Sequence, residues 1–435
     1  MKESLRQCFE DEQLDEVARS TGFCKRKRTL TPRIFLEMLL CKDFDAGQQS
    51  LLDHCRELAI HQKISVTKQS LNERFNTQCV EFIQKLIAIQ IGKGTGNPLN
   101  VLKDFSHVYI HDSTKFKLPG NMQDEYKGYG VKGMAAGASI QFCYDLRYCQ
   151  FVDLKLTAAT RNDSLEATNN KWITKGALVV RDLGYFSIEA LEEITQKEAY
   201  YISKAMPRTH FYSGINGKKL DLKQMVRKME ESGMVTQSAS LHMGKEKLPV
   251  RVIFQRVSDE VYEKRIREKQ TKNKSRGWGM SDEYRIWAKI NVFITNIPEE
   301  MTTDQRVLDI YKLRWQIELV FKTWKSHYNL HRTKEMKKTR IKIYLYSTLL
   351  LILVHWRVYR WLEDKVNKKN LTISLYKLSK YIMQKSDQFN QAVLRRKSDL
   401  DSFIRSFLDI PLNFIVKEVR QNKLCYSDIV LNKYG

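Results

Sequence analysis

Between residues 104 and 204 the hydrophobic pattern switches from helical spacing to short β-rich runs, and the order of those runs leaves few folds open. His107–His111 (HVYIH) is one such run and ends at Asp112. Ala138–Tyr144 and Cys149–Thr157 follow, joined by a tight turn at Asp145–Tyr148. A cap among Asn162, Asp163 and Ser164 predicts a helix over 164–174. Next come an apolar strand, Ala177–Arg181, with Asp182 at its end, a helix near 188–195 and a strand at Tyr200–Lys204. Three antiparallel strands, then helix, strand, helix and strand, describe a mixed sheet flanked by helices. An acid follows the first strand, and another follows the fourth.

A second constraint lies downstream. Tyr311–Lys325 (YKLRWQIELVFKTWK) reads as one helix. At about 100° per residue, Tyr311, Arg314, Glu318 and Lys325 fall within an arc of roughly 60° along roughly 21 Å of axis. Leu313, Ile317, Val320 and Trp324 make an apolar stripe about 120° round from it. The polar face thus carries a phenol, two cations and one carboxylate, groups suited to holding phosphates beside an acid. Asp304, Gln305 and Asp309 lie just upstream, where acidic residues favour a helix N-terminus.

The spacing Tyr, two residues, Arg, three residues, Glu, six residues, Lys resembles the signature of prokaryotic DDE transposases of the insertion-sequence-four family, complete at all four positions. RWQIELVFK, HDST, SIQFCYDL, RDLGYF, YISK and FITNIP are similar to blocks of the same family, so the resemblance spans residues 105–360. The element order from 104 is that of an RNase H-like core, in which acids on the first and fourth strands meet a later helix. The expected class is therefore α/β (α+β) and multidomain. It comprises a helical DNA-binding region at 1–103, the first part of the core at 104–205, and a β-rich insertion at 206–290. The second part of the core, with the signature helix, covers 291–365, and a helical region covers 366–435. The insertion is what the resemblance implies; the residues alone read as basic and partly extended.

Phosphodiester cleavage near neutral pH needs a strong nucleophile and a place for charge on the leaving oxygen. Two Mg²⁺ ions roughly 3.5–4 Å apart supply both. Mg²⁺ takes few hard oxygen ligands, so three carboxylates suffice with phosphate and water completing its shells. Asp112, Asp182 and Glu318 are assigned as catalytic, metal-binding acids, for Mg²⁺ with Mn²⁺ as the alternative. Asp145, Asp153 and Asp163 have cheaper explanations: hairpin turn, strand surface and helix cap. The resemblance implies that Tyr311 and Arg314 hold transposon-end phosphates and that Lys325 contacts the strand near the scissile bond. Some relatives place a stacking tryptophan where this chain has Asn291, with Trp278 and Trp287 upstream. For Trp287, core packing explains the residue.

Charge and composition agree with a nucleic-acid partner. The 435 residues carry a formal net charge of +24, a field that attracts DNA or an anionic membrane. Eight cysteines lack any CxxC pair and read as reduced thiols rather than zinc ligands, and His327 and His331 have no acid partner. The N-terminus has no signal-peptide core. Ile343–Trp356 is an apolar run too short to span a bilayer and reads as a buried helix. Val66–Ile91 reads as one long helix whose Lys68, Gln69, Asn72 and Arg74 suit either a DNA-reading helix or a packing module. KRKR at 25–28 reads as a solvated loop and GKGTGNP at 92–98 as a linker.

The expectation is a cytoplasmic, nucleoid-associated enzyme. It would bind the terminal inverted repeats of its element, cut there and join the ends to target DNA. Its partner is double-stranded DNA, with a homodimer in the synaptic complex implied by the resemblance and no membrane. The alternatives are a DNA-binding transposition inhibitor without catalysis and an RNase H-like nuclease without strand transfer.

Overall fold

The structure is a computed structural model, and it describes residues 5, 9–26, 29–40, 49–92, 98, 102–130, 133–168, 171–207, 209–274, 277–367, 371–394 and 400–417. Parts of the KRKR and GKGTGNP stretches, and the tail from 418, lie outside the described residues. The chain divides into two compact units: Met1–Val101, Ser113–Arg161 and Trp315–Gly435 form unit 1, and Leu102–Asp112 with Asn162–Arg314 form unit 2.

Unit 1 is mainly helical. Its N-terminal helices are Asp11–Ser20, Pro32–Leu40, Leu51–Gln62, Lys68–Arg74 and Thr77–Gly92. Pro32 opens its helix at the first position, as proline should. Ser50 and Asp53 form a reciprocal capping box. The single helix expected over Val66–Ile91 is two. Asn76 Oδ1 accepts from Cys79 N at 2.9 Å, and that cap restarts the helix. Arg340 donates to Asn72 Oδ1 at 2.7 Å, so one of the four candidate DNA-reading side chains is tied internally.

These helices pack on a 30-residue helix, Lys338–Asn367, which contains the apolar run. Thr339 Oγ1 donates to the Phe75 carbonyl at 2.7 Å, and Arg357 donates to Gln90 at 2.7 Å. The helix is long and apolar enough to cross a membrane, and 78% of its apolar window is buried inside the structure. Its Trp356 meets Phe151 at 4.8 Å and donates through Nε1 to the Cys149 carbonyl at 2.8 Å. Trp324 lies 5.0 Å from Phe142. Burying these four rings adds to what holds this part of the unit together.

Nine strands form one mixed sheet: β1 (Val108–Leu118), β2 (Ala136–Asp145), β3 (Gln150–Ala158), β4 (Leu178–Arg181), β5 (Tyr200–Lys204), β6 (Phe211–Tyr212), β7 (Thr236–Met243), β8 (Leu248–Arg256) and β9 (Ile290–Thr295). Their order is β3-β2-β1-β4-β5-β9-β8-β7-β6. The first five places, with β2–β3 antiparallel and β1–β4–β5 parallel, are the RNase H-like arrangement.

Four expectations are corrected. β1 does not stop at His111 but runs to Leu118, because Thr114, Phe116 and Leu118 continue the inward alternation between outward lysines. Over 164–174 only a short 3₁₀ turn, Asp163–Glu166, forms. Trp172 instead packs edge-on against Tyr109 at 4.9 Å. The insertion is as helical as it is β, with helices at Leu222–Glu231, Asp259–Lys274 and Asp282–Ala288 beside β6 to β8. The basic stretch at 271–274 is the end of a helix. Finally, the signature does not lie on one helix: Asp304–Lys312 and Trp315–His327 are separate. Leu313 N bonds Ile310 O and Arg314 N bonds Tyr311 O, three-residue steps that tighten the turn between them.

Candidate active site

The parallel register builds the site in unit 2. β1 pairs with β4 so that His111 faces Arg181, and β4 pairs with β5 so that Val180 faces Ile202. One step beyond the first of these pairs and two beyond the second bring Asp112, Asp182 and Lys204 into a single row. Neighbouring strands lie about 4.8 Å apart, and residues in one row project from the same face. β5 then pairs antiparallel with β9, placing Phe293 opposite Lys204 and extending the row. Two acids, a cation and an aromatic ring thus line the ends of adjacent strands.

Asp182 precedes the 3₁₀ turn Leu183–Tyr185, yet its carboxylate makes no capping hydrogen bond. Both acids meet Arg314. Its Nη1 donates to Asp112 Oδ2 at 2.8 Å, and its Nε stands 3.6 Å from Asp182 Oδ1. Arg314 and Asp112 are 16% and 14% exposed, so the stronger contact is largely shielded from water, whereas Asp182 is 43% exposed.

Tyr311, three residues earlier, is buried with its ring edge-on to Phe293 at 5.1 Å. Burial pushes its phenol well above the usual range, while Arg314 pulls it down and Asp182 pushes it up. Its hydroxyl makes no hydrogen bond of normal geometry. Lys204 Nζ lies 5.5 Å from the ring centroids of both Phe293 and Tyr311. Burial lowers the Lys204 pKa, and Arg265 and Arg314 add to this while Asp182 opposes it. Arg265 donates to the Ala288 and Ile290 carbonyls at 3.1 Å and to Asn291 Oδ1 at 2.6 Å. Asn291 therefore anchors an arginine, Trp287 is buried, and Trp278 is exposed.

Of the six residues selected from sequence, Asp112, Asp182, Tyr311 and Arg314 are brought together in unit 2. Glu318 and Lys325 lie on the helix Trp315–His327 in unit 1. Lys325 Nζ donates to the Lys115 carbonyl at 3.2 Å, and burial lowers its pKa. Among the described residues no group of three or more His, Cys, Asp or Glu stands close enough to hold a metal. Asp112 and Asp182 are nonetheless the hard, adjacent oxygen donors such an ion requires. Two of the competing aspartates have the expected local roles, whereas Asn162, not Asp163, caps the 3₁₀ turn at 163–166. Asp145 accepts from the Arg147 and Tyr148 amides in the hairpin turn, and Asp153 pairs with Lys155 on the strand surface. Lys204 was not singled out from sequence as a site residue. Its signal was its place at the end of a third parallel strand, in one row with both acids.

Residues 103–354 match a family model described as the transposase DDE domain. The chain is 28% identical over 420 residues to the transposase of insertion sequence element IS231B from Bacillus thuringiensis subsp. berliner, across 91% of this chain and 87% of that protein. It is 26% identical over 375 residues to the transposase of IS1151 from Clostridium perfringens, across 81% and 79% of the two chains. A solved structure of the piggyBac transposase in a synaptic complex with hairpin DNA aligns with 97% of this chain and 86% of that one, at 11% identity and a TM-score of 0.48.

Proposed function

The chain belongs to the transposase DDE domain family, and on that premise we propose that it moves an insertion sequence by cutting DNA at the terminal inverted repeats and joining the freed 3′-hydroxyls to a target. The observation that carries this reading is the matched register of β1 and β4, which sets Asp112 beside Asp182 with a phosphate-competent arginine against both. We assign Asp112, Asp182 and Glu318 as the ligands of a divalent metal, Mg²⁺ with Mn²⁺ as substitute. Such an ion, once bound, activates the attacking oxygen and neutralises the leaving one.

The chain's own cations do the rest. Arg314, a planar fork of donors, suits a phosphate of the transposon end. The Tyr311 hydroxyl, buried without a well-formed hydrogen bond, is placed to donate to the same group. Lys204, held over two rings at the end of β5, supplies a third charge. Lys325, anchored on the Lys115 carbonyl, serves the strand near the scissile bond. The net charge of +24 draws the duplex to the protein and makes binding weaken steeply with salt. We further propose that residues 1–103 recognise the repeats, that the core covers 104–205 and 291–365 around the 206–290 insertion, and that 366–435 is accessory. Two protomers would hold the two ends together, and the protein would act on DNA in the bacterial cytoplasm.

The test mixes the purified protein, Mg²⁺ and a linear duplex carrying the sequences that flank the gene, alongside Glu318→Gln. Nicking at the repeat boundary by the wild type, absent from Glu318→Gln while DNA binding persists, is the expected result. Binding without cleavage by the wild type would identify an inhibitor instead, and cleavage indifferent to the ends would identify a nuclease.

A further inference from the structure

Two carboxylates side by side on neighbouring strands repel each other. Here one guanidinium answers both, at 2.8 Å from Asp112 and 3.6 Å from Asp182. Arginine cannot lose its proton in this range of pH, so it is a permanent counter-cation for the pair. The same guanidinium is the group best shaped to grip a phosphate. With Nη1 on Asp112 and Nε towards Asp182, each two-donor edge of the guanidinium has one donor engaged, so it cannot offer a phosphate a free bidentate edge in the same pose. We propose that Arg314 is a latch: in the DNA-free protein it holds Asp112 and Asp182, and a backbone phosphate of bound DNA draws it away, opening the two acids to a divalent cation. This rests on the transposase reading above.

The surroundings favour release in one direction. The contact to Asp182 is the longer one, and its carboxylate is 43% exposed, so it parts first. Lys204 stands in the same row, and the repulsion between it and Arg314 falls when the guanidinium withdraws. Tyr311, three residues before Arg314, offers its buried hydroxyl to the phosphate that takes the guanidinium. By linkage, if DNA raises the affinity for metal, metal must raise the affinity for DNA by the same factor. The device would keep the metal site closed until a substrate is present.

The test measures Mn²⁺ binding to the full-length protein by the loss of the free-ion paramagnetic resonance signal, with and without a 40-base-pair duplex from the DNA flanking the gene. In the wild type the duplex should tighten Mn²⁺ binding about tenfold or more. Arg314→Gln should bind Mn²⁺ about tenfold more tightly than the wild type without DNA, and the duplex should then add little. Arg314→Lys, whose single ammonium cannot serve both acids, should fall between the two and covers the case in which the glutamine variant folds poorly. Lys289→Gln removes an equal charge from an exposed pair with Glu230, outside the row of acids, so it should keep the enhancement by DNA. Equal enhancement in the wild type and in Arg314→Gln or Arg314→Lys would overturn the latch. If Asp112→Asn retains the wild-type Mn²⁺ affinity, the assigned metal site itself fails and the latch falls with it. Loss of Mn²⁺ binding in Asp112→Asn with no effect of Arg314 substitution sinks the latch alone.

Discussion

Replacing Arg314 by glutamine should destabilise the protein, and replacing Asp112 as well should restore most of the loss. The Arg314–Asp112 contact is 2.8 Å long, with both side chains about six-sevenths shielded. Breaking a buried pair by removing one partner costs about 3–5 kcal/mol, because a charge is stranded. The lower end applies here, since Asp182 is 43% exposed and water reaches the site from that side. The second contact, at 3.6 Å to that exposed carboxylate, adds less than about 1 kcal/mol. Asp112→Asn alone removes a like charge from beside Asp182 and loses one charge-assisted hydrogen bond, a net cost of about 1 kcal/mol. The double variant should therefore be close in stability to Asp112→Asn, with a coupling energy of about 3 kcal/mol. Urea denaturation of the four proteins at pH 7 measures it, and repeating the series in 0.5 M NaCl should leave the coupling largely intact. A double variant whose losses simply add, or an Arg314→Gln protein as stable as the wild type, would show that the guanidinium does not compensate the acid pair.

Lys204→Met should separate stability from binding. Methionine keeps the packing on Phe293 and Tyr311 while removing a charge whose burial is already unfavourable, so the melting temperature should hold or rise. Affinity for a terminal duplex should fall about fivefold with a shallower salt dependence, by loss of one phosphate contact; an unchanged salt slope would remove Lys204 from the DNA-binding set. Glu363, inside unit 1, makes stability depend on pH. Burial pushes its carboxyl up to about 7, against bonds from the Ile373 amide and the charges of Lys417 and Arg360. A carboxyl with a raised folded-state pKa contributes fully below its unfolded value near 4.5 and loses that contribution as pH rises through about 7. Thermal melts should accordingly drop between pH 4.5 and 7 and level off above, and Glu363→Gln should flatten the profile. A glutamine variant with an undiminished slope would assign the pH dependence elsewhere.

Much of the molecule was legible along the chain because period and punctuation are local properties. The β-branched and aromatic runs marked β4 and β5, with β5 at its observed bounds. The alternation of strands and helices named the sheet, and the spacing of Tyr311, Arg314, Glu318 and Lys325 named the family. Where expectation and structure part, the competing force came from elsewhere in the chain. Outward lysines disguised the second half of β1. The ring of Trp172 found Tyr109 and left the predicted helix a single 3₁₀ turn.

The break between the two signature helices is the plainest case. Leu313 and Arg314 carry no glycine or proline, and nothing in helix propensity marks the turn. Burial of Tyr311 on Phe293 and the hold of Asp112 and Asp182 on Arg314 accompany it, and those partners lie 18 to roughly 200 positions away in the chain. Composition, periodicity and motif spacing thus singled out the candidate residues, since they are written in neighbouring letters. Which of those residues share a row, which cation answers which acid, and that Lys204 joins them were decided by parallel strand register, a relation between distant segments that exists only after the sheet has formed.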